Sequence, residues 1–294
     1  MLDERVTLVN IAFRMLGCAH DAEDVVQDAF ARWFALSDEA RREIRSPAAW
    51  LVRVTCRICL DQLNSARARR ERYVGDWLPE PLPDDSRWAS TGRDRAGDPA
   101  EQVALADSVS MGMLVMLESV TPAERVAFIL HDVFDLPHTE IAEIVGRSPA
   151  ACRQLAASAR RHLQSDRRRA VTAHQHRDIV SAFKNACEHG DLDTLISLLD
   201  PQVTVRADGG GKARVALRAI LGAQKTARYF LGLLRNKFAQ ELTEENVNGC
   251  PGLVSHVNGE VNGIVAFAVH GGRITQIWVI VNPEKLHAWR EPSL

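Results

Sequence analysis

A single glycine, Gly146, lies between two short amphipathic patterns and constrains the fold more than any other feature of this sequence. The pattern before it, about Thr139–Val145, repeats apolar residues at helical spacing, and its small Ala142 allows a second helix to approach closely. After the glycine, Ser148 and Pro149 are typical of a helix start, since serine caps the first turn and proline needs no N–H donor there. Two short helices joined by so tight a turn predict a helix-turn-helix.

The second helix of this motif, which runs to about Leu163, is predicted to contact DNA. The first side chains of such a helix enter the major groove, where arginine pairs with guanine and glutamine with adenine, while other arginines suit phosphates. The candidate contacts are Arg147, Arg153, Gln154, Ser158, Arg160 and Arg161. We expect base readout from Arg153 and Gln154, with Ser158 one turn beyond. A helical hairpin that contacts no DNA is the alternative that this motif alone leaves open.

The chain divides into four segments, which predict a multidomain fold. Residues 1–75 and 108–170 show helical patterns and are predicted to be all-α domains. Residues 76–107 contain repeated Pro and Gly and carry eight acidic against three basic side chains, so they are predicted to be a partly extended linker. Residues 171–294 begin with helical patterns and end with alternating ones, an order that favours an α+β domain.

The last segment has two predicted helices and three predicted strands. The helices cover Ile179–Leu199 and about Val215–Leu234. The strands cover Gly252–Val257, Gly263–Val269 and Ile274–Val281, and Gly and Asn turns separate them.

Overall charge does not mark the chain as a nucleic-acid binder, because its net charge is −2 and its isoelectric point is about 6.6. The distribution of charge is more informative. Residues 146–170 carry seven arginines against one aspartate, directly within the helix-turn-helix motif. A basic segment therefore follows the acidic linker.

Cys56 and Cys59 form a CxxC, but they lie inside a helical pattern and have no second Cys/His pair at metal-binding spacing. Small buried side chains are therefore favoured over a metal or redox site, and no cofactor is predicted. Asp3 and Glu4 stand where a signal peptide needs basic residues, and no apolar stretch approaches the ~20 residues of a membrane span. We expect a cytoplasmic protein without a membrane partner.

Three segments together resemble the extracytoplasmic-function sigma factors of the sigma-70 family. Residues 21–33, DAEDVVQDAFARW, are similar to their polymerase-binding helix, and residues 47–63 to the helix that follows in region two. Residues 121–163 resemble region four. The resemblance implies a promoter-recognition subunit whose partners are core RNA polymerase and promoter DNA.

The resemblance also implies roles for two groups of residues in region two. Docking on polymerase is assigned to Asp24, Gln27 and Asp28, whose acidic character suits a basic partner, although acids near a helix start also favour the macrodipole. Capture of the −10 element needs a platform for an unpaired base and cations along the strand. Its candidates are Arg41, Arg42, Arg45, Trp50, Arg53, Arg57 and Asn64. Trp50 could equally belong to the core, and Arg41 and Arg42 could simply be solvated.

Three further motifs resemble one subgroup of that family, typified by sigma factor J, which carries a C-terminal SnoaL-like (NTF2-like) domain. They are WLPEP at 77–81, DGGGK at 208–212 and NPEKL at 282–286, where Glu284 replaces an expected Asp. The resemblance implies that this domain regulates the chain from within and replaces a separate anti-sigma factor. The residues assigned to such regulatory contacts are Trp77, Pro79, Asp208, Gly210, Lys212, Asn282, Pro283 and Lys285.

Several functions of the C-terminal segment stay open. The glycine run could bind an anion through its N–H groups, could be a connecting loop, or could allow Asp208 and Lys212 to pair with the helical domains or the linker. A small ligand is possible for this domain. Two rival functions are an isomerase or cyclase using His256 or His270, and a ligand-responsive regulator using only the helix-turn-helix. Residues 1–75 argue against the second rival, which would not need them.

Overall fold

The computed structural model describes residues 2–70, 73–84, 110–167, 171–235 and 240–290. The described residues form two compact units. The helical unit contains residues 2–70 and 113–165, and the C-terminal unit contains residues 73–84, 110–112 and the described residues from 166 onward. Within the predicted linker 76–107, residues 85–107 lie outside the described part of the chain, and so do Arg168 and Arg169 of the basic segment.

The first part of the helical unit is built from α1, α2, α3 and α4. These helices are Leu2–Leu16, Ala19–Phe34, Asp38–Glu43 and Pro47–Arg70. Helices α1, α2 and α4 pack on one another because each has apolar residues at helical spacing along one face. Phe13 of α1, Val26 of α2 and Leu51 of α4 are buried where these faces meet. Cys56 and Cys59 are buried in this core as free thiols, and burial raises the pKa of Cys56.

The second part of the helical unit contains four more α-helices. They are α5 (Met111–Leu117), α6 (Pro122–Phe128), α7 (His138–Val145) and α8 (Pro149–Arg167), with a π-helical turn at Ile129–Val133. The first two residues of α5 and the last two of α8 are assigned to the C-terminal unit. Thr121 and Glu124 form the reciprocal capping box that begins α6. Gly146 has a φ of +71° and ends α7, as the helix-turn-helix pattern predicts.

Arg125 joins the two parts of the helical unit. Its guanidinium is buried and donates to the backbone oxygen of Met15 at 2.8 Å and to the carboxylate of Glu118 at 2.7 Å. Burial lowers the pKa of Arg125 to about 10. Because a buried charge is costly unless it is paired and hydrogen-bonded, this side chain fixes α6 against α1.

The C-terminal unit contains four helices, a 3₁₀ turn and one six-stranded sheet among its described residues. The helices are α9 (Ala173–His189), α10 (Leu192–Leu198), α11 (Ala223–Arg235) and α12 (His287–Arg290), and the 3₁₀ turn is Pro283–Lys285. The strands are β1 (Leu199–Asp208), β2 (Ile220–Leu221), β3 (Gln240–Val247), β4 (Cys250–Val257), β5 (Glu260–His270) and β6 (Arg273–Ile280). Their order is β2-β1-β6-β5-β4-β3, and β1 with β6 is the parallel pair.

Helices α9 and α11 cover one face of this sheet. Phe183 of α9 contacts Phe230 of α11 and Phe267 of β5 edge to face, with ring centroids 5.1 and 5.2 Å apart. These rings form the centre of the core, and the observed architecture confirms the predicted α+β class for this part of the chain.

The structure differs from two predicted helices and adds strands. The segment Ile179–Leu199 is split because Gly190 has a φ of +71° and Asp191 caps a new helix. The second helix begins at Ala223, not near Val215, since Gly222 at φ +92° interrupts it. Strands β1, β2 and β3 were not predicted. The sequence of β3, QELTEENV, is too polar to show apolar alternation.

No helix in the described part of the chain is long and apolar enough to cross a membrane. Over the same residues, no group of three or more His, Cys, Asp or Glu side chains is placed to hold a metal ion.

Candidate functional sites

The helix-turn-helix presents the first turns of α8 to solvent. The Ser148 hydroxyl accepts from the backbone N–H of Ala151 at 3.2 Å and caps the helix. Cys152 is buried on the inner face, so Arg153 and Gln154 lie on the outer face and are exposed. This is the arrangement that base readout in a major groove requires.

Two other predicted DNA contacts of α8 have partners within the protein. Arg160 donates from Nε to Asp132 at 2.9 Å, and Ser158 hydrogen-bonds the Glu124 carboxylate. Arg147 and Arg161 are exposed. The structure therefore presents Arg147, Arg153, Gln154 and Arg161 together, and turns Arg160 and Ser158 toward the protein.

Two of the predicted −10 contacts in α4 are bound to the helix-turn-helix. Arg53 forms an ion pair with Glu143 of α7 at 2.9 Å, and Arg57 donates to the backbone oxygen of Glu143 at 2.8 Å. Sequence reasoning missed Glu143, because nothing in the local pattern links two residues about ninety positions apart. Each of these arginines therefore uses one guanidinium nitrogen, Nη2, on Glu143.

The other candidates around the −10 surface are mostly accessible. Trp50 is half-buried and packs edge-on against Trp33, with ring centroids 5.3 Å apart. Arg41 pairs with Asp38 at 3.1 Å. The exposed members among these are Arg42, Arg45 and Asn64.

The predicted polymerase contacts lie together on the outer face of α2. Asp24, Gln27 and Asp28 are all exposed, and Asp28 pairs with Arg32 one turn farther along at 3.2 Å. The opposite face of the helix buries Ala22, Val25, Val26 and Ala29. The helix thus offers a polar surface held on a rigid apolar base.

A buried polar cluster in the C-terminal unit joins all three subgroup motifs, and we call it the Asp208 cluster. Its members are Tyr73, Trp77, Leu78, Asp208, Asn282 and Lys285. The Asp208 carboxylate is fully buried at the end of β1. One oxygen accepts from the Tyr73 hydroxyl at 2.6 Å, and the other from the Leu78 N–H at 3.0 Å and the Lys285 ammonium at 2.7 Å.

The remaining contacts of the cluster complete its hydrogen bonding. The Lys285 ammonium also donates to the backbone oxygen of Leu78 and lies 4.2 Å from the centre of the Trp77 ring. The Asn282 amide donates to the Tyr73 hydroxyl at 2.9 Å. Burial and the hydrogen bond to Asp208 raise the pKa of Tyr73, so its hydroxyl remains a donor.

Gly210 of the glycine run fits this cluster for steric reasons. Its φ is +61°, and a Cβ at this position would lie 2.5 Å from the Asn282 side chain. Its N–H donates to Asp208 at 3.0 Å. The glycine run is thus packed against Asn282 and Asp208 of the cluster. Lys212 lies at its exposed end and pairs with Glu284 at 2.5 Å, so the glutamate that departs from the subgroup motif is still used as an anion.

Residues 78–84 continue along the C-terminal unit beyond the cluster. Pro79 is buried there, and Pro283 is half-buried. The Leu82 N–H donates to the Asn248 side chain at 3.1 Å, the Asn248 N–H donates back to Leu82 at 2.8 Å, and Trp289 donates to the Pro81 oxygen at 2.8 Å. Sequence reasoning missed Tyr73, Asn248 and Trp289, which lie outside the three motifs.

The C-terminal unit also contains a cavity of about 430 Å³ on the helix side of the sheet. Its described lining includes no His, Asp or Glu. His256 lies elsewhere, with Nε2 3.0 Å from the Thr243 hydroxyl. The geometry therefore brings neither candidate catalytic histidine to the cavity.

Comparison with known proteins covers both helical regions and then the whole chain. The family model for sigma-70 region 2 matches residues 3–69, and the model for sigma-70 region 4 matches residues 111–163. The ECF RNA polymerase sigma factor SigJ of Mycobacterium tuberculosis is 39% identical over 96% of this chain and 90% of its own length. A probable ECF RNA polymerase sigma factor, SigI, of the same species is 39% identical over 97% of this chain and 93% of its own length.

The fold agrees with these similarities. The crystal structure of Mycobacterium tuberculosis SigJ superposes with a TM-score of 0.73 at 37% identity, covering 97% of this chain and 96% of that one. The similarity thus includes the C-terminal unit as well as the helical regions.

Proposed function

Because this chain belongs to the extracytoplasmic-function sigma factors, it is a promoter-directing subunit of RNA polymerase, and we propose that its helical regions divide the promoter between them. The sigma function is supported by 39% sequence identity to SigJ across 96% of the chain, together with separate matches to regions 2 and 4. We assign the −35 element to the exposed start of α8 and the −10 element to α4 and the loop before it.

Readout of the −35 element rests on Arg153 and Gln154, which are exposed at the end of the helix that a groove would receive. Arg147 and Arg161 flank them and suit phosphates. Arg160 and Ser158 would have to leave Asp132 and Glu124 to join in. We therefore give them a smaller share of the contact.

Recognition of the −10 element requires a rearrangement. Arg53 and Arg57 leave Glu143 and turn all their N–H groups toward an unpaired strand. The pair is exposed, so its loss costs little, and binding of α2 to polymerase through Asp24, Gln27 and Asp28 can supply that energy. Release of the two arginines from Glu143 is thus coupled to assembly of the holoenzyme.

Regulation is assigned to the C-terminal unit, which acts within the chain in place of a separate anti-sigma factor. It holds residues 73–84 through the Asp208 cluster, and these residues are part of the only chain connection between regions 2 and 4. The protein acts in the cytoplasm, where its polymerase is. Catalysis by this unit is disfavoured, since the described lining of the cavity offers no acid–base pair.

In vitro transcription with core polymerase tests this function. We expect promoter-specific run-off product with the full chain and none with core enzyme alone, and an altered yield with residues 1–170. Binding to duplex DNA without polymerase, and no transcript, would favour a repressor instead. Equal yields from both forms would remove the regulatory role but leave the sigma activity.

A further inference from the structure

The cavity of the C-terminal unit has the size and lining of a small-molecule site. Its volume of about 430 Å³ lies within the roughly 300–1,000 Å³ typical of such sites. Phe183 and Phe230 from the helices and Leu253 and Val279 from the sheet contribute to its apolar walls. An apolar molecule placed there would bury apolar surface against these walls.

The polar groups of the cavity select for charge. Arg214 and Arg290 line it, and no carboxylate does so within the described residues. The Arg290 Nε donates to the backbone oxygen of Val261 at 3.0 Å, which fixes the guanidinium. The Ser255 hydroxyl donates to the Asn262 side-chain oxygen at 2.7 Å, which leaves the Asn262 amide NH₂ as a donor. Cations and donors together favour an anionic, hydrogen-bond-accepting group on the ligand.

The walls of the cavity are continuous with the Asp208 cluster. Ala213, Arg214 and Val215 line the cavity and directly follow the DGGGK motif at 208–212. The loop between them is tight, since a Cβ on Gly209 would lie 2.4 Å from the Ala213 oxygen. Val281 also lines the cavity, and its N–H donates to the Asp208 backbone oxygen at 2.9 Å.

We propose that this cavity binds a small, largely apolar organic anion of the medium-chain carboxylate class, and that the bound molecule tightens the hold of the C-terminal unit on residues 73–84. A ligand that orders residues 213–215 removes part of the cost of ordering the adjacent cluster, so the two events favour each other. An effect of this tightening on transcription rests on the proposed regulatory function. Ligand binding and the tighter hold on residues 73–84 are properties of the free chain.

Displacement of 1-anilinonaphthalene-8-sulfonate by decanoate and by decan-1-ol tests the ligand class. Decanoate should displace the dye at lower concentration than decanol. Arg214→Gln with Arg290→Gln should weaken decanoate binding about tenfold and leave decanol unchanged. Arg273→Gln, an exposed arginine outside the cavity, is the matched control. Equal affinity for decanoate and decanol, or an equal loss in the control, would overturn the charge selection.

A filled cavity gives a second test of location. Leu233→Trp replaces an aliphatic side chain of the cavity wall with a larger indole ring that occupies the cavity. This variant should lose decanoate binding, while the helical unit should keep its thermal unfolding transition. Unchanged binding in this variant would place the ligand elsewhere and overturn the proposal.

Hydrogen exchange tests the coupling to residues 73–84. The Leu78 N–H donates to Asp208, so its exchange should slow at least about fivefold when decanoate is bound, and not in Leu233→Trp. Unchanged exchange at Leu78 with decanoate bound would overturn the coupling. These readouts need no polymerase, so failure of run-off transcription would reject the sigma activity without altering them.

Discussion

Two ion pairs hold distant parts of this chain together, and they differ in burial. Arg53 and Glu143 join regions 2 and 4 with side chains 41% and 57% exposed, whereas Lys285 and Asp208 are 9% and 0% exposed. An exposed pair contributes about 0–1 kcal/mol, but removing one partner of a buried pair costs about 3–5 kcal/mol. The comparison teaches that the Arg53–Glu143 pair can open readily, while residues 73–84 stay on the C-terminal unit.

The largest expected effect is that of Lys285→Met. It leaves the fully buried Asp208 carboxylate without its cation, so the C-terminal unit should lose about 3–5 kcal/mol of unfolding free energy. Urea denaturation followed by tryptophan fluorescence measures this. Lys212→Met is the matched control, because its pair with Glu284 is exposed and should contribute about 0–1 kcal/mol. Equal losses in the two variants would erase the contrast between buried and exposed pairs.

The next largest effect concerns α8, whose Arg153 is exposed, unlike the buried Lys285. Arg153→Ala should weaken −35 recognition by about 1–3 kcal/mol and relax the base preference at one position. Transcription from promoters that vary in the −35 element measures both. Arg161→Ala should instead lower activity uniformly across those promoters, as a phosphate contact does. A preference left intact by Arg153→Ala would remove this residue from base readout.

Acid should affect the C-terminal unit through His176. Burial and the charge of nearby His270 lower its pKa to about 4, against 6.5 in the unfolded chain. Between those values the unfolded state binds more protons, so the stability that His176 contributes is fully present well above pH 6.5 and falls as the pH drops toward 4. The expected loss is about 1–2 kcal/mol between pH 7 and 5.

Thermal unfolding of the chain across this range measures the loss. His176→Asn should flatten the pH dependence, whereas His174→Asn, at an exposed position of the same helix, should leave it unchanged. A steep dependence that persists in His176→Asn would assign it to other groups.

The smallest effect belongs to the exposed pair. A double-mutant cycle of Arg53→Ala and Glu143→Ala should give a coupling of about 0.2–1 kcal/mol in unfolding free energy. Glu140→Ala, exposed on the same helix, is the control for Glu143→Ala. Coupling as large as the loss in Lys285→Met would show that the Arg53–Glu143 pair binds strongly despite its exposure.

Sequence reasoning predicted the elements that local patterns encode. Gly146 and Ser148 located the helix-turn-helix, and the alternation in 252–281 located three strands. It did not find β3, because that strand is too polar to show an alternation of apolar and polar residues. It also missed the break at Gly190, which lies inside a helical pattern of apolar residues. The three subgroup motifs were recognised, and pairing of Asp208 with the linker was one of the alternatives left open, which the contact with Leu78 matches. The contacts of Lys285 and Asn282 within the cluster were not deduced.

The sequence by itself determined which helices and most strands form, because capping residues, glycines and apolar spacing act over a few neighbouring residues. Only the tertiary structure decided which side chains are available. It buried Asp208 against Lys285 and the Leu78 N–H, 77 and 130 residues away, and it bound Arg53 and Arg57 to Glu143 while leaving Arg153 exposed. The reason is physical: the energy of a charge depends on its burial and its partners, and these are set by contacts between residues far apart in the chain.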